Sequence, residues 1–346
     1  MTDVLWLRPP KGDHLSVGRH RIADELGTRG FTVTVRDVTR STASEVLRDG
    51  PRADIIVGTT RAGAIVGTLA KLRFGTPLIV DHIDPIRQFH AVSPPWLSVP
   101  VHCAESLTFH LADHVCWVTK DDSPRVRRWG QAMTRTTLGV PFDQFATPST
   151  SVVSKADRRL ADYDLNNRVA VYVGGLEPVY NIDALLDGVE RAEGWTLVVL
   201  GDGSQATDVE AAVASRADVI YLGSVPHDEV PGYLRIADVA INLADERTVK
   251  VIEYAAAGLP VVHVAGSAAN RFGELVKHTT LEPRRIAGAL DEAIAWPQKF
   301  IDEMQRYAQQ RDWGKVATAY EEAIHLSLNQ PRLNPTANKP QLTTSK

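Results

Sequence analysis

Short apolar runs rich in Val, Ile and Leu alternate along the chain with amphipathic stretches. Such runs are typical of strands buried on both faces of a parallel sheet, each followed by a helix. They form two series, with predicted strands at residues 4–7, 31–35, 54–57, 78–81 and 114–118 and then at residues 169–173, 196–200, 219–222, 238–242 and 261–264. The pattern predicts an α/β protein with two parallel-sheet domains.

The stretch between the two series, residues 147–167, is rich in Ser, Thr, Asp and charged residues and has few apolar positions. We interpret it as an interdomain linker that joins a first domain at residues 1–146 to a second at residues 168–312. Residues 329–346 contain three prolines and almost no apolar side chains. This tail is therefore predicted to be disordered.

Composition narrows the class of protein. The chain has 346 residues, 44% hydrophobic and 23% charged, which is ordinary for a globular protein of two domains. No apolar run approaches the roughly 20 residues of a membrane span, and no signal-type segment opens the chain, so a cytoplasmic location is expected. Cys103 and Cys116 lack the spacing of a thiolate metal site. The net charge of −4 and the lack of a nucleic-acid motif argue against a nucleic-acid partner.

The segment from residue 237 to residue 265 carries the strongest candidate chemistry. An apolar strand leads into a polar loop, a helix and a further apolar strand, and Thr248 is predicted to cap a helix that begins at Val249 and ends at Gly258. Glu253 then lies in the first turns of this helix, facing the carboxyl end of a parallel strand, where open α/β sheets bind ligands. A carboxylate there is suited to the hydroxyl groups of a ribose.

This segment resembles retaining GT-B glycosyltransferases of the family-4 type, also described as glycosyl transferases group 1. In that family a strand is followed by a Glu, seven residues and a second Glu in an E-x-M-A-x-G-x-P-V-V helix, and here the pair is Asp245 and Glu253. The resemblance implies that Glu253 binds the ribose and that Asp245, or Glu246 beside it, binds the donor sugar. It also implies two Rossmann-like domains facing a cleft, with a last helix at about 313–328 that crosses back to the first domain.

The loop after the first strand of the second domain departs from the family pattern. Relatives have G-R-L-x-x-x-K-G, whose Arg and Lys bind the donor diphosphate, whereas Gly175 and Tyr180 stand at those two positions here. We expect Arg247 and Lys250 to replace the missing cations. Gly174 and Gly175 would let a phosphate approach the backbone amides. The teichuronic-acid type of glycosyltransferase similarly lacks the first cation pair and has a K-x-x-E-Y helix.

A second loop of this domain, at residues 222–230, resembles the family's G-x-V-P-x-x-E-L segment beside the nucleotide base. The resemblance implies that backbone atoms near Val225 contact the base. The stretch Gly201–Ala206 formally fits the dinucleotide-binding glycine motif, but no acidic residue ends the next strand, so a dehydrogenase is not favoured.

Candidate acceptor-side residues follow the strand at residues 78–81. Relatives often have a His at the end of this strand that contacts the donor sugar. Ile83 stands at the matching position here, flanked by His82 and Asp84. An inverting reaction would make Asp84 or His82 the general base, whereas a retaining reaction needs none. A structural hydrogen bond for His82 and strand capping by Asp81 remain open. Residues 93–97, with Trp96, and the basic cluster at 125–129 are candidates for contact with a lipid acceptor or a membrane face.

The expected function is that of a hexosyltransferase-type glycosyltransferase, which moves a sugar from a nucleotide-sugar to a glycan or lipid-linked acceptor with retention of configuration. No metal or other cofactor is expected. Polysaccharide or cell-envelope biosynthesis is the expected context, with peripheral contact at the inner face of the membrane as an option. The alternatives are a non-catalytic sugar-nucleotide-binding partner subunit and a GT-B epimerase or phosphorylase.

Overall fold

The computed structural model describes residues 1–10, 17–83, 86, 89, 94–118, 122–165, 167–245 and 248–329. Asp84, Glu246, Arg247, the loop at residues 11–14 and the predicted tail from residue 330 lie outside this set. The chain divides into two compact units. One comprises Met1–Gly139 and Trp313–Lys346, and the other comprises Val140–Asp312.

The strands are β1 Thr2–Arg8, β2 Phe31–Asp37, β3 Ile55–Thr59, β4 Leu78–His82, β5 His114–Trp117, β6 Met133–Arg135, β7 Arg168–Val173, β8 Trp195–Leu200, β9 Val219–Tyr221, β10 Val239–Asn242, β11 Val261–Val264 and β12 Lys277–Thr279. The helices are α1 Val17–Thr28, α2 Arg40–Asp49, α3 Thr60–Phe74, α4 Pro95–Leu111, α5 Ser123–Trp129, α6 Phe142–Ala146, α7 Thr150–Leu160, α8 Ile182–Glu190, α9 Ala206–Ser215, α10 Val230–Ile236, α11 Lys250–Ala256, α12 Pro283–Ile294, α13 Gln298–Gln309 and α14 Trp313–Leu328. Within the described residues, no helix is long and apolar enough to cross a membrane.

The first unit is a doubly wound sheet in the order β2-β1-β3-β4-β5-β6, with every neighbouring pair parallel. Right-handed crossovers place α2, α3, α4 and α5 on one face and α1 on the other. The last helix, α14, packs against α1. Trp6, Ile22 and Tyr320 belong to the core under α1 and α14. The expectation that the last helix returns to the first domain is therefore confirmed.

The second unit repeats the architecture, with the parallel order β12-β11-β10-β7-β8-β9. On one face of this sheet, the core is made by alternate residues of the central strands together with one face of α8 and one face of α12, which contribute Leu185 and Leu290. Two six-stranded parallel sheets with flanking helices confirm the predicted fold class.

Two strands were not predicted from the sequence pattern, and both lie at sheet edges. β6 and β12 have three residues each, with the sequences Met-Thr-Arg and Lys-His-Thr. An edge strand pairs on one side only and is covered less by helices, so it needs no apolar run. Periodicity alone could not distinguish these strands from loops.

The predicted linker at residues 147–167 is wrong in its central part. Residues 150–160 form α7, which belongs to the second unit. Val152, Ala156 and Leu160 recur every fourth residue, and the last two are buried. Arg159 donates to the carbonyl of Leu222 at 2.6 Å. The four-residue spacing makes a short amphipathic helix that docks on the unit, and the unit begins at Val140.

Asp81, at the end of β4, holds several elements of the first unit together. Its carboxylate is fully buried and accepts two hydrogen bonds from Arg19, at 2.8 and 2.9 Å, one from Thr59 at 2.8 Å and one from Tyr320 at 2.7 Å. Burial opposes ionisation, yet Arg19 and the hydroxyl donors together hold the pKa of Asp81 below its ordinary value. Asp81 therefore ties α1, β3 and α14 to β4.

Candidate functional site

The loops that follow β7 and β8 meet through glycines at the carboxyl end of the second sheet. Gly174 donates its backbone N–H to Leu200 at 2.9 Å, and Gly201 donates to Gly223 at 2.9 Å. Gly174 has φ +144° and Gly201 has φ +140°, which side chains rarely allow. A Cβ on Gly201 would also overlap the carbonyl of Gly174. Only glycine permits this close packing of the two turns.

Lys250, the first residue of α11, places its ammonium group beside the Gly174 turn. Its Nζ donates to the hydroxyl of Tyr172 at 2.9 Å and lies 4.2 Å from the ring centre of Tyr172 and 4.0 Å from that of Tyr180. No carboxylate forms an ion pair with it among the residues that the structure describes. Burial lowers the pKa of Lys250 to about 7, with Glu253 acting weakly in the opposite direction. We call this arrangement of Lys250, Tyr172, Tyr180 and Gly174 the lysine cage.

The lysine cage relates directly to the cations missing from the donor loop. Tyr180, which stands where relatives have Lys, lies under the Lys250 ammonium and forms part of its surroundings. Gly175, which stands where relatives have Arg, has its carbonyl bound by the hydroxyl of Tyr172 at 2.6 Å. Of the two predicted substitutes, Lys250 lies at this loop, and Arg247 is outside the described residues. The sequence drew attention to Lys250 but missed Tyr172.

Glu253 lies three residues after Lys250 on α11 and has a protein partner. Its Oε1 is 2.7 Å from Nε2 of His227, whose side chain is half exposed. The ring of His227 also lies 5.6 Å from that of Phe145. Val225 precedes His227 by two residues in the same loop after β9 and is partly buried. The structure therefore brings the loop predicted to contact a base to the carboxylate predicted to bind a ribose.

His227 is a site residue that the sequence pattern did not single out. It occupies a variable position of the family loop segment, so only its proximity to Glu253 in the fold reveals it.

Asp245, predicted to bind the donor sugar, supports the backbone of its own unit. Its carboxylate accepts hydrogen bonds from the backbone N–H groups of Ser267 at 3.1 Å and Ala268 at 2.7 Å. These donors begin the turn after β11, so the carboxylate caps that turn. Any contact with a sugar would have to share the same two oxygens.

The predicted cap of the site helix is wrong. α11 begins at Lys250 with Val249 at the N-cap, and no side chain caps it. The hydroxyl of Thr248 is buried and finds no partner in the described part of the chain. Thr248 lies one residue too early to reach the free N–H groups of the first turn.

In the first unit, His82 sits in a buried ionic cluster at the end of β4. Its Nε2 is 3.1 Å from a carboxylate oxygen of Asp122, and its ring centre lies 5.0 Å from that of Phe109 in a T-shaped arrangement. Arg125 pairs with Asp122 at 3.0 Å and with Glu105 at 2.6 Å. Burial opposes the charge on Asp122, but His82 and Arg125 lower its pKa overall. The described contacts of His82 match the structural alternative.

The architecture is that of the GT-B glycosyltransferases, and comparisons with known proteins agree with it. Residues 167–309 match the family model of glycosyl transferases group 1. HepE of Anabaena, solved in complex with UDP, superposes with a TM-score of 0.73 at 18% identity, covering 94% of this chain and 100% of that one.

Two further proteins are similar to this chain. WaaG, a glycosyltransferase involved in lipopolysaccharide biosynthesis, superposes with a TM-score of 0.62 at 14% identity, over 94% of this chain and 99% of that one. The 2-deoxystreptamine glucosyltransferase of Streptomyces kanamyceticus is 27% identical over 112 residues, which is 31% of this chain. The match spans only 29% of that enzyme's length.

Proposed function

We propose that this protein is a glycosyltransferase that moves a hexose from a UDP-sugar to a glycan or lipid-linked acceptor. The observation that carries the proposal is the spacing of Lys250 and Glu253 on α11. Residues three apart lie on one face of a helix, so a buried cation and a buried carboxylate stand side by side. A cation suits the phosphates of a nucleoside diphosphate, and a carboxylate suits its ribose hydroxyls. The match of residues 167–309 to glycosyl transferases supports the same assignment.

In this proposal the donor diphosphate binds at the lysine cage. Among the described residues, the ammonium of Lys250 contacts the rings of Tyr172 and Tyr180 and the Tyr172 hydroxyl, with Glu253 as a nearby carboxylate, so a phosphate would add a direct anionic partner. The turn at Gly174 has no side chain that would obstruct a phosphate beside the Lys250 ammonium. A bound phosphate would raise the pKa of Lys250 again and hold its proton.

The nucleoside part is assigned to Glu253 and the loop that carries Val225. The ribose hydroxyls would donate to the Glu253 carboxylate, replacing or sharing its contact with His227. Backbone groups near Val225 would meet the base. We choose uridine because HepE, which shares the fold, was solved with UDP and with UDP-glucose.

The proposed chemistry is a retaining transfer without a metal ion. The bond from the anomeric carbon to the phosphate oxygen breaks, and the acceptor oxygen bonds to that carbon on the same face. The acceptor proton passes to the departing phosphate, so the protein mainly orients the two substrates. Asp245 would contact the donor sugar. Asp84 or His82 would act on the acceptor hydroxyl only in an inverting reaction. A cytoplasmic reaction that builds cell-envelope polysaccharide belongs to the same proposal.

The second candidate is a non-catalytic subunit that binds a sugar-nucleotide. Two observations favour it, because Gly175 and Tyr180 replace the usual cations and Asp245 already caps a turn. A GT-B epimerase is a third candidate, and it would interconvert free nucleotide-sugars. The three candidates predict different products from one incubation with UDP-glucose.

The test is a thermal-shift panel with UDP, GDP, CMP, ADP and UDP-glucose on the wild type, Glu253→Ala and Glu303→Ala. Glu303 is a half-exposed glutamate of α13 in the same unit and serves as the matched control. A ligand at 100 times its dissociation constant should stabilise the protein by about 2.7 kcal/mol. We expect a shift with UDP that is lost in Glu253→Ala and kept in Glu303→Ala.

Slow release of glucose from UDP-glucose would then separate a transferase from a binding subunit, and EDTA should not slow it. No shift with any nucleotide in a folded protein would contradict the proposal.

A further inference from the structure

The outward face of α4 carries large apolar side chains, and its inward face carries polar side chains beside the core residue Phe109. Trp96, Val99 and Leu107 are 75%, 69% and 56% exposed, whereas Glu105 and Thr108 are buried. An ordinary surface helix has the opposite arrangement, with its apolar stripe against the core. The polar inward side is explained by the buried ionic cluster around Glu105. Packing within the first unit does not explain the apolar outward side.

The neighbouring helices extend this apolar surface. Leu69 and Leu72 of α3 are 46% and 62% exposed, and Trp129 at the end of α5 is 38% exposed. α3 packs against α4, and α4 packs against α5, on one face of the first sheet. We define the apolar belt as Leu69, Leu72, Trp96, Val99, Leu107 and Trp129. Exposed apolar side chains on three neighbouring helices are the kind of surface that marks an interaction site.

A groove of about 630 Å³ opens within the belt between α4 and α5. Leu107 and Trp129 line it together with His102, Cys103 and Arg128. None of the described residues that line it is acidic. An occupant of this groove would therefore be an apolar group that carries or adjoins negative charge.

The charges around the belt are one-sided. Among the residues of α3, α4 and α5 only Glu105 is acidic, and it is buried between Arg61 and Arg125. Arg73, Arg127 and Arg128 remain exposed, with no ion pair in the part of the chain that the structure describes. The guanidinium groups of Arg73 and Arg128 lie over Phe74 and Trp129, at 5.4 and 5.3 Å from the ring centres.

We propose that the apolar belt docks the protein on the surface of a bilayer that contains anionic phospholipids. Trp at an apolar rim and Arg beside it are the side chains that favour the interface between water and lipid. A second copy of the chain is a poorer occupant, because a symmetric dimer would bring two patches of the same positive sign together. The inference agrees with a lipid-linked acceptor, but it does not depend on the proposed sugar transfer.

The test is co-sedimentation of the full chain with vesicles of phosphatidylcholine alone and of phosphatidylcholine mixed with phosphatidylglycerol. We expect binding to the mixed vesicles that weakens at high salt. Leu107→Gln should weaken it about tenfold, because the leucine no longer inserts. Arg127→Gln and Arg128→Gln should each weaken it about fivefold. Leu326→Gln is the matched control, since Leu326 is also 56% exposed but lies on α14.

Several results would overturn the inference. These are no sedimentation with mixed vesicles, equal binding to neutral vesicles, or equal loss in Leu326→Gln and Leu107→Gln. A dimer in size-exclusion chromatography that Leu107→Gln dissociates would assign the belt to a second copy instead. Nucleotide binding should be measured on the same samples, so that a failure of membrane docking can be distinguished from a failure of the proposed function.

Discussion

Replacement of Lys250 by methionine should stabilise the folded protein and weaken its binding of UDP. Methionine has a similar length and no charge, so it can fill the lysine cage without burying an ammonium group. A pKa lowered from 10.5 to about 7 corresponds to about 5 kcal/mol against the charged form. Methionine cannot make the hydrogen bond from the Lys250 side chain to Tyr172, and its loss offsets about 1–1.5 kcal/mol of this gain. We therefore expect Lys250→Met to raise the free energy of unfolding by about 3–4 kcal/mol at pH 7.

The stability gained by Lys250→Met should decrease as the pH rises above 7. Between pH 7 and pH 10.5 an unfolded chain keeps the proton on Lys250 more often than the folded chain does. The free energy of unfolding of the wild type must then rise with pH across this window. Lys250→Met lacks this titration, so its advantage should shrink above pH 7 and vanish before pH 10.5.

Binding should change in the opposite direction. Loss of a charge-assisted hydrogen bond to phosphate costs about 1.5–3 kcal/mol, which weakens UDP binding about 10- to 150-fold. The affinity of the wild type for UDP should also fall above pH 7, as the free ammonium loses its proton. The affinity of Lys250→Met should not follow that profile.

The assays are urea unfolding at several pH values and calorimetric titration with UDP. Lys155→Met is the control, because Lys155 lies in the same unit with its side chain 57% exposed. This control should change stability by less than about 1 kcal/mol and leave UDP binding unchanged. The reasoning is refuted if Lys250→Met destabilises the protein at pH 7, or if it binds UDP as tightly as the wild type.

Three further predictions follow from the same structure. Asp81→Asn should lower the free energy of unfolding by about 3–5 kcal/mol in urea, because it leaves Arg19 buried without its carboxylate; a loss below about 1 kcal/mol would contradict this. Gly201→Ala should destabilise by more than about 1 kcal/mol in the same assay, since its φ and the Gly174 carbonyl exclude a Cβ. In calorimetry, wild type should prefer UDP to 2′-deoxy-UDP by about 1–3 kcal/mol, and Glu253→Ala should lose that preference if the carboxylate binds the ribose.

The fold class could be predicted from the sequence because parallel strands are buried on both faces. Central strands such as β3 and β10 therefore appear in the sequence as short, nearly continuous apolar runs, whereas half-exposed elements alternate apolar and polar residues. The edge strands β6 and β12 and helix α7 gave weaker patterns. The two edge strands have at most one apolar residue each, and the four apolar residues of α7 stand among polar neighbours, so both patterns resemble a loop.

The candidate site was predictable in part for the same reason. The loops at the carboxyl ends of parallel strands meet at one edge of a sheet, so Gly174, Lys250 and Glu253 could be placed at that edge from the sequence alone. Their partners could not, because contacts such as Lys250 to Tyr172, 78 residues apart, depend on side-chain direction as well as position. The capping of a turn by Asp245 and the contact of His227 with Glu253 are of this kind.

The sequence by itself determined the two parallel sheets, the glycine turns and the residue types available for a nucleotide, because these follow from local pattern and backbone conformation. Only the tertiary structure decided what each side chain contacts. It placed the Lys250 ammonium beside two tyrosines, and it turned large apolar side chains of α4 outward while Glu105 on the inward side joined a buried ionic cluster. The physical reason is that burial and electrostatic partners are properties of neighbours in space, and neighbours in space come from distant parts of the chain.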